Sequence, residues 1–245
     1  SVDFSVYDTI VHVAGIAHVS SKEKMEPLYY KVNRDLTYEV AKYAKKNKVK
    51  QFIFISSIIV YGRKSVDDGI INENTIPLPD NFYGKSKLEA ENLLRTLEDG
   101  SFNLAIVRPP MIYGKCSKGN YPKLSKLARF SPVFPDYSNK RSMLYIDNLS
   151  EFLKLLIDRE ERGLFFPQNK EHVCTSEMVK LISETHGKKI YLTKAFNFII
   201  SKLKGNLDIV HKVFGDLVYD QSLSNHDKNY CIYDLKKSIE LTERN

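Results

Sequence analysis

The sequence predicts an α/β protein built on a parallel sheet with flanking helices, and three observations support this prediction. Residues 52–55 form a short apolar run of β-favouring side chains, which is typical of a buried strand in a parallel sheet. Helical patterns lie on both sides of that run, so strands and helices alternate along the chain. Ser57 stands just beyond the run, at the strand end where open α/β sheets bind ligands.

The other elements are predicted from the spacing of apolar residues. Strands are expected at 7–13, 104–107 and 163–166, with a shorter one at 190–192. Helices are expected at 28–44, 83–94, 123–129, 149–157 and 175–185, and from 235 onward.

The segment 194–214 is amphipathic and basic, with apolar residues spaced between lysines. Such a segment could lie on a membrane surface. A cap packed over a substrate-binding region is the more common arrangement and is the interpretation favoured here.

Composition describes an ordinary globular protein. The chain has 245 residues, of which 42% are hydrophobic and 11% aromatic, so it can bury a large core. No apolar stretch approaches the roughly 18 residues of a membrane span, and no membrane partner is predicted. The three cysteines are widely spaced, which indicates neither a metal site nor a disulfide framework and fits the cytoplasm.

The net charge is +7, from 37 basic and 30 acidic residues. The lysines are dispersed, apart from clusters at 45–50 and 236–237. A basic surface of this kind could bind nucleic acid. A lysine-rich solvated face is the favoured explanation, so no nucleic-acid partner is predicted.

Tyr83 and Lys87 form the pair with the clearest chemistry. They are four residues apart in a helical pattern, so both side chains lie on one helix face. A phenol has an unperturbed pKa of about 10, and a nearby ammonium group moves that pKa toward neutrality. Tyr83 could then transfer a proton at physiological pH, while Ser57 hydrogen-bonds the same reacting oxygen. The alternative is a surface Tyr–Lys pair on an amphipathic helix.

The two stretches together point to a family. SSIIVYG at 56–62, followed by YGKSK at 83–87, resembles the extended short-chain dehydrogenase/reductases, in particular the nucleotide-sugar epimerase/dehydratase branch. The resemblance implies a truncated Rossmann-like dinucleotide-binding domain at 1–165, with 116–135 contributing to the substrate side. Residues 166–245 would form a smaller, mostly helical substrate-binding cap.

The resemblance also implies site residues. Ser57, Tyr83 and Lys87 match the family's catalytic residues. The implied cofactor is NAD, with NADP as an alternative. The residues that match cofactor-binding positions are Ala14, Gly15, Asn33, Tyr83, Lys87 and Pro109. Ala17 stands where some epimerases carry a cofactor-binding lysine, so that contact is absent.

Substrate-binding positions are implied in the same way. Asn120 at a helix start could hold a diphosphate, and the guanidinium of Arg141 suits pairing with phosphate. Pro132 and Phe134 belong to an extended piece that sandwiches the uracil in family members. Residues 109–111 are Pro-Pro-Met where many 4-epimerases have Tyr-Phe-Asn, which removes one substrate contact.

No glycine-rich turn of the G-x-G-x-x-G type precedes residue 7. In the family such a turn lets the backbone cradle the pyrophosphate of the cofactor. The chain is therefore interpreted as a fragment or a truncated form in which cofactor binding is weakened. The strand at 7–13 is expected to be an open sheet edge, and a homodimer is considered as the assembly.

The leading functional hypothesis is a nucleotide-sugar 4-epimerase that acts on a UDP-hexose or UDP-N-acetylhexosamine. It would use NAD and pass through a transient 4-keto intermediate. One alternative is an NAD(P)H-dependent reductase of a 4-keto sugar nucleotide. The other is a non-catalytic nucleotide-binding relative that keeps the fold but does not turn over.

Overall fold

The computed structural model describes residues 3–17, 23–66, 68–205, 207–224 and 228–244. Its strands are β1 (Thr9–His12), β2 (Gln51–Ile55), β3 (Ile70–Ile71), β4 (Asn103–Val107), β5 (Met111–Tyr113), β6 (Val133–Pro135), β7 (Met143–Tyr145), β8 (Gly163–Phe165), β9 (Tyr191–Thr193) and β10 (Val218–Tyr219). Its α-helices are α1 (Glu26–Tyr30), α2 (Thr37–Lys46), α3 (Phe82–Arg95), α4 (Tyr121–Phe130), α5 (Ile146–Asp158), α6 (Thr175–Thr185), α7 (Asn197–Lys204), α8 (Asp208–Phe214) and α9 (Leu235–Glu243). A π-helical segment, Lys31–Leu36, joins α1 to α2.

β1, β2, β4 and β8 form a parallel sheet in that order. This sheet and its helices confirm the α/β fold class predicted from the sequence. The chain passes through α1 and α2 between β1 and β2, and through α3 between β2 and β4, as parallel neighbours require. Within the described residues β1 pairs with β2 alone, so it is an edge strand, as expected.

β2 and β4 are buried because helices cover them. Phe52 and Phe54 of β2 pack with Leu104 and Ile106 of β4 in one apolar cluster. The helices contribute mainly small residues to this cluster, which lets them approach the sheet closely. These residues are Ala41 and Ala44 of α2 and Ala90 of α3, and the larger Leu94 of α3 joins them.

The chain divides into two compact units. The first comprises the described residues within 1–67, 72–110 and 152–167, and it contains the parallel sheet. Its core is the cluster formed by β2, β4, α2 and α3.

The second unit comprises the described residues within 68–71, 111–151 and 168–245. It contains three two-stranded parallel pairs, β3 with β10, β5 with β7, and β6 with β9. Residues 111–151 thus cluster with the C-terminal region. The division at residue 165 that the family resemblance implied concerns binding roles, and it stays a prediction.

The segment 194–214 forms two short helices, α7 and α8. Val213 and Phe214 pack against the core of the second unit. Phe198 is 80% exposed and Ile199 is 54% exposed, so this segment is only partly used as a packing element. None of the helices in the described ranges is long and apolar enough to cross a membrane.

His12 at the end of β1 is buried in the first unit. Its Nε2 lies 3.0 Å from Oγ1 of Thr37, and its ring stacks on Phe52 with the centroids 5.7 Å apart. Burial lowers the pKa of His12 to about 4, and the positive charge of Lys87 acts in the same direction. The folded protein therefore holds this imidazole neutral under mildly acidic conditions.

We expect His12→Gln to reduce the acid sensitivity of the fold. The pKa of His12 is about 4 when folded against an ordinary 6.5, so the unfolded chain binds more protons between these pH values. The wild type should lose roughly 2–3 kcal/mol of unfolding free energy as the pH falls through this window. Urea denaturation at pH 7 and pH 4.5, compared between the two proteins, measures the difference.

Thr37→Val is the matched control, because it removes the partner hydroxyl without removing a titrating group. It should lower the unfolding free energy by a similar amount at both pH values. Equal pH dependence in the wild type and in His12→Gln would contradict the assignment.

Candidate active site

Ser57 begins a short turn that follows β2. Its backbone is extended, with φ −166° and ψ 153°, and its Oγ accepts a hydrogen bond from the amide of Ile59 at 3.3 Å. This bond starts a single 3₁₀ turn, Ile58–Val60. The side chain of Ser57 is therefore held at the carboxyl end of a central strand, where ligands bind in such sheets.

Backbone hydrogen bonds fix the same turn to the chain that follows β4. The amide of Ser56 donates to the carbonyl of Val107 at 2.7 Å. The amide of Ile58 donates to the carbonyl of Pro109 at 3.0 Å. Strand pairing thus continues past the end of β2 on both sides of Ser57.

α3 packs directly against this turn. The helix is capped by Asn81, whose Oδ1 accepts from the amide of Gly84 at 2.9 Å. Its buried face carries Tyr83 and Lys87. A Cβ at position 84 would lie 2.6 Å from the carbonyl oxygen of Ile59, so only glycine permits this close approach.

The structure brings Tyr83 and Ser57 together. Tyr83 is 8% exposed, and its phenol is near enough to the side chain of Ser57 for that hydroxyl to act on its pKa. Burial raises the pKa of Tyr83, the hydroxyl of Ser57 lowers it, and the nearby Tyr29 raises it again. The net effect is a phenol that is protonated at neutral pH.

The sequence-based expectation that Lys87 lowers the pKa of Tyr83 is wrong for this structure. The Nζ of Lys87 donates to the carbonyl of Ile55 at 2.9 Å and lies 4.6 Å from the centroid of the Phe54 ring. Burial lowers the pKa of Lys87 to about 8, and the carboxylate of Glu91 opposes that change. Desolvation is therefore the largest influence on the pKa of Tyr83 and on that of Lys87.

Asn33 connects the loop after β1 to α3. It lies in the π-helical segment and is fully buried. Its Oδ1 accepts from the amide of Ile16 at 2.7 Å, and its Nδ2 donates to the carbonyl of Ile16 and to Oγ of Ser86, both at 3.1 Å. Oγ of Ser86 donates in turn to the carbonyl of Tyr83 at 2.9 Å.

Ala14 and Gly15 are exposed next to these groups. A Cβ added at Gly15 would lie 3.0 Å from Oδ1 of Asn33 and 3.3 Å from Nζ of Lys87. An exposed backbone without a side chain, beside a lysine with three N–H donors, suits the hydroxyl groups of a nucleotide ribose. The assignment of these residues to the cofactor stays a prediction. Pro109 is buried, and its role in cofactor binding stays a prediction.

The proposed substrate-binding residues all lie in the second unit. Asn120 precedes α4, and its side chain makes no capping hydrogen bond. Pro132 is exposed, and its carbonyl accepts from the amide of Tyr191 at 2.9 Å. The side chain of Asn120 is thus not used as a helix cap, and its assignment to a diphosphate stays a prediction.

The side chains of Phe134 and Arg141 both contact other residues of the second unit. Phe134 is 4% exposed, and its ring packs against Phe214 in the core, with the centroids 5.7 Å apart. Nη1 of Arg141 donates to the carbonyl of Gly215 at 3.1 Å, and burial lowers the pKa of this guanidinium. Their roles towards a nucleotide remain predictions, and for Phe134 the ring already serves the core.

Four buried polar residues near Ser57 received no role from the sequence: Ser56, Tyr61, Glu91 and Arg108. One signal was available, because Glu91 follows Lys87 by four residues and so shares its helix face. A carboxylate on a buried face needs partners, but nothing in the sequence identifies them. Among the described residues no group of three or more His, Cys, Asp and Glu side chains could hold a metal ion.

Comparison with known proteins finds a matching family model and several similar curated proteins. Residues 2–165 match the model of the NAD dependent epimerase/dehydratase family. UDP-glucose 4-epimerase of Vibrio cholerae is 35% identical over 228 residues, which are 87% of this chain and 68% of that protein. N-acetyl-alpha-D-glucosaminyl-diphospho-ditrans,octacis-undecaprenol 4-epimerase of Escherichia coli O157:H7 is 32% identical over 194 residues, which are 75% of this chain and 56% of that protein.

Solved structures share the fold. UDP-glucuronic acid 4-epimerase from Bacillus cereus, in complex with UDP-glucuronic acid and NAD, has a TM-score of 0.73 at 22% identity. The match covers 99% of this chain and 77% of that one. A dTDP-4-dehydrorhamnose reductase from Clostridium acetobutylicum has a TM-score of 0.69 at 18% identity, covering 96% and 79%. At these identities the similarity concerns the fold alone.

We expect Gly15→Ala to destabilise the first unit by about 1–3 kcal/mol, as overpacking does. The new methyl group would sit 3.0 Å from Oδ1 of Asn33, which three hydrogen bonds hold in place. Gly100→Ala is the matched control, because a Cβ at Gly100 meets nothing within 4 Å. Urea midpoints of the three proteins measure the effect, and equal midpoints would refute it.

Proposed function

This chain belongs to the NAD dependent epimerase/dehydratase family, and from that premise we propose that it carries the catalytic residues of a nucleotide-sugar 4-epimerase. The observation that supports this most strongly is the close packing of α3 on the turn after β2, which places Tyr83 near Ser57 with Lys87 one helical turn away. A phenol and an alcohol that meet at a strand end can bind and protonate one oxygen of a substrate.

The proposed substrate is a UDP-hexose or a UDP-N-acetylhexosamine. The similarity to the Vibrio cholerae UDP-glucose 4-epimerase supports the first of these. The chain spans 68% and 56% of the two curated relatives, so the activity of the whole protein is part of the proposal.

Each catalytic residue has a distinct task. Tyr83 moves a proton to and from the 4-oxygen of the sugar, and Ser57 donates a hydrogen bond to the same oxygen as a ketone develops. Lys87 is assigned to the ribose hydroxyls of the cofactor, since a Cβ at the exposed Gly15 would lie only 3.3 Å from its Nζ. NAD, when bound, supplies a reversible hydride acceptor, which 4-epimerisation through a ketone requires.

The raised pKa of Tyr83 has a consequence for this cycle. A protonated phenol is ready to donate a proton to a ketone, which is the reductive half of epimerisation. The oxidative half needs the phenolate, so a positive charge must come closer to Tyr83 than Lys87 does while it is bonded to Ile55. The oxidative half should therefore accelerate as the pH rises above neutrality.

A reductase of 4-keto sugar nucleotides uses the same residues in one direction only. The protonated state of Tyr83 and the reductase fold neighbour support this alternative. The two are separated by incubating the full-length protein with UDP-glucose or UDP-N-acetylglucosamine. An epimerase yields the 4-epimer with catalytic NAD, whereas a reductase leaves these sugars unchanged and consumes reduced cofactor with a 4-keto sugar.

A lipid-linked sugar diphosphate is a second candidate substrate. The Escherichia coli relative carries such a substrate in its name. The side chains of Phe198 and Ile199 on α7 are 80% and 54% exposed, which is compatible with contact to a polyprenyl chain. Epimerisation of N-acetylglucosaminyl diphosphoundecaprenol in detergent, with no turnover of the UDP-sugars, would favour this candidate.

We expect Tyr83→Phe to lower kcat at least about a hundredfold while the KM stays within a factor of about three, since general acid–base groups contribute at least this much. Tyr43→Phe is the matched control, because this residue is 40% exposed and lies on α2. Initial rates for the three full-length proteins measure the effect. A Tyr83→Phe enzyme with the turnover of the wild type would rule out the assignment.

The third alternative is a relative that binds a nucleotide without turnover. Titration of the chain with oxidised and reduced cofactor tests cofactor binding directly. A true binder should gain about 2.7 kcal/mol of unfolding free energy at a hundredfold excess over Kd. Stabilisation by the cofactor without turnover of any sugar favours the non-catalytic alternative. An unfolding free energy that does not change at millimolar cofactor would argue against cofactor binding by this chain.

A further inference from the structure

A charged pair is buried beside the catalytic residues. Glu91 is 1% exposed and Arg108 is 4% exposed. Nε of Arg108 donates to both carboxylate oxygens of Glu91, at 3.0 and 3.2 Å, and Nη2 adds a further bond. A buried ion pair is weak support for stability as such, because desolvation offsets most of its attraction. Its contacts must therefore explain what it does.

Those contacts reach both ends of the Ser57 turn. Oγ of Ser56, the residue before Ser57, donates to Oε1 of Glu91. Nη1 of Arg108 donates to the hydroxyl of Tyr61, the residue after the 3₁₀ turn, at 2.7 Å. The pair thus holds the residue that precedes Ser57 and the one that closes its turn, each through a side chain.

The same pair is connected to the helix that carries Tyr83 and Lys87. Glu91 lies one turn beyond Lys87 on the buried face of α3. Arg108 follows β4, and its amide donates to the carbonyl of Phe165 at the end of β8 at 2.9 Å. The side chains of this pair therefore connect α3 with the Ser57 turn, and the backbone of Arg108 joins them to the ends of β4 and β8.

We propose that Glu91 and Arg108 are positioning residues for the reaction, which hold Ser57 against Tyr83 and balance the charge beside Lys87. This inference rests on the proposed function for its kinetic consequences. Its structural content, the control of Ser57 and of Lys87, stands apart from the identity of the substrate. Neither residue has to touch a reacting atom.

Replacing Ser56 tests the positioning of Ser57 with the least disturbance of the fold, because the ion pair between Glu91 and Arg108 stays intact. Ser56→Ala removes one arm of the network, and Ser56→Thr restores a hydroxyl at the same place. We expect Ser56→Ala to lower kcat at least about tenfold with little change in KM, because displacements near 1 Å can reduce turnover about a hundredfold. Ser56→Thr should recover most of the loss.

Thr96→Val is the matched control, since it removes a hydroxyl hydrogen bond at the far end of α3. It should leave kcat unchanged. Full turnover in Ser56→Ala, or equal losses in Ser56→Ala and Ser56→Thr, would overturn the positioning of Ser57. If the wild type turns over no sugar, the proposed function fails, and the titration below still decides the inference.

The charge balance is tested by titrating Lys87 in protein labelled with ¹³C at lysine Cε, with Lys87→Met used to assign the signal. Glu91→Gln leaves a positive neighbour and Arg108→Met leaves a negative one. We expect the midpoint of Lys87 to fall in the first variant and to rise in the second, each by about one pH unit.

The decisive result is that the midpoint of Lys87 moves in opposite directions in the two variants. Both variants break the same ion pair and lose stability in the same way, so a loss of stability alone would not separate them. Movement in one common direction, or no movement, would overturn the inference. Removing one partner of a buried pair strongly destabilises a fold, so the double variant Glu91→Gln, Arg108→Met is included. It should fold more readily than either single variant and return the Lys87 midpoint towards that of the wild type.

Discussion

Close contact between α3 and the turn after β2 is the constraint on which the site depends. The turn is held to the continuation of β4 by the amides of Ser56 and Ile58. The helix meets it at Gly84, where a Cβ would strike the carbonyl of Ile59. Because backbone atoms fix both partners, main-chain geometry sets how closely the Ser57 turn approaches α3, and the side chains of Glu91 and Arg108 add further bonds to the same turn.

This tight packing has an electrostatic effect that spacing alone does not reveal. Tyr83 and Lys87 lie one turn apart, and in water their charges would favour each other. In the folded chain both lose solvent, so the pKa of Tyr83 is raised and that of Lys87 is lowered to about 8. Burial thus opposes ionisation of each group, and Glu91 acts in the opposite sense on Lys87. Ionisation of Tyr83 therefore requires a positive charge near its hydroxyl when cofactor and substrate are bound.

Much of the fold could be predicted from the sequence because its signals are local. The apolar run at 52–55 and the helical face of Tyr83, Lys87 and Leu94 follow from strand and helix periods. The proposed catalytic residues can be predicted from the sequence because their motif spans few residues. The partners of Glu91 cannot be predicted in this way. Ser56 and Arg108 are 35 and 17 residues away in the sequence, and only the folding of the sheet brings them to Glu91. Phe134 shows the same limit, because its place in the core depends on the pairing of β6 with β9.

The π-helical segment between α1 and α2 has a consequence for how this chain can vary in length. Such a segment holds one residue more than an α-helix would over the same rotation, because its hydrogen bonds run from i to i+5. Deleting one residue between Lys31 and Leu36 would therefore restore α-helical geometry while leaving the two ends of the helix in nearly the same relative orientation. The alanines of α2 would keep their place on the sheet, whereas Asn33, inside the widened turn, would move relative to Ile16 and Ser86. A deletion here is thus expected to disturb the bonds of Asn33 more than the packing of the helix.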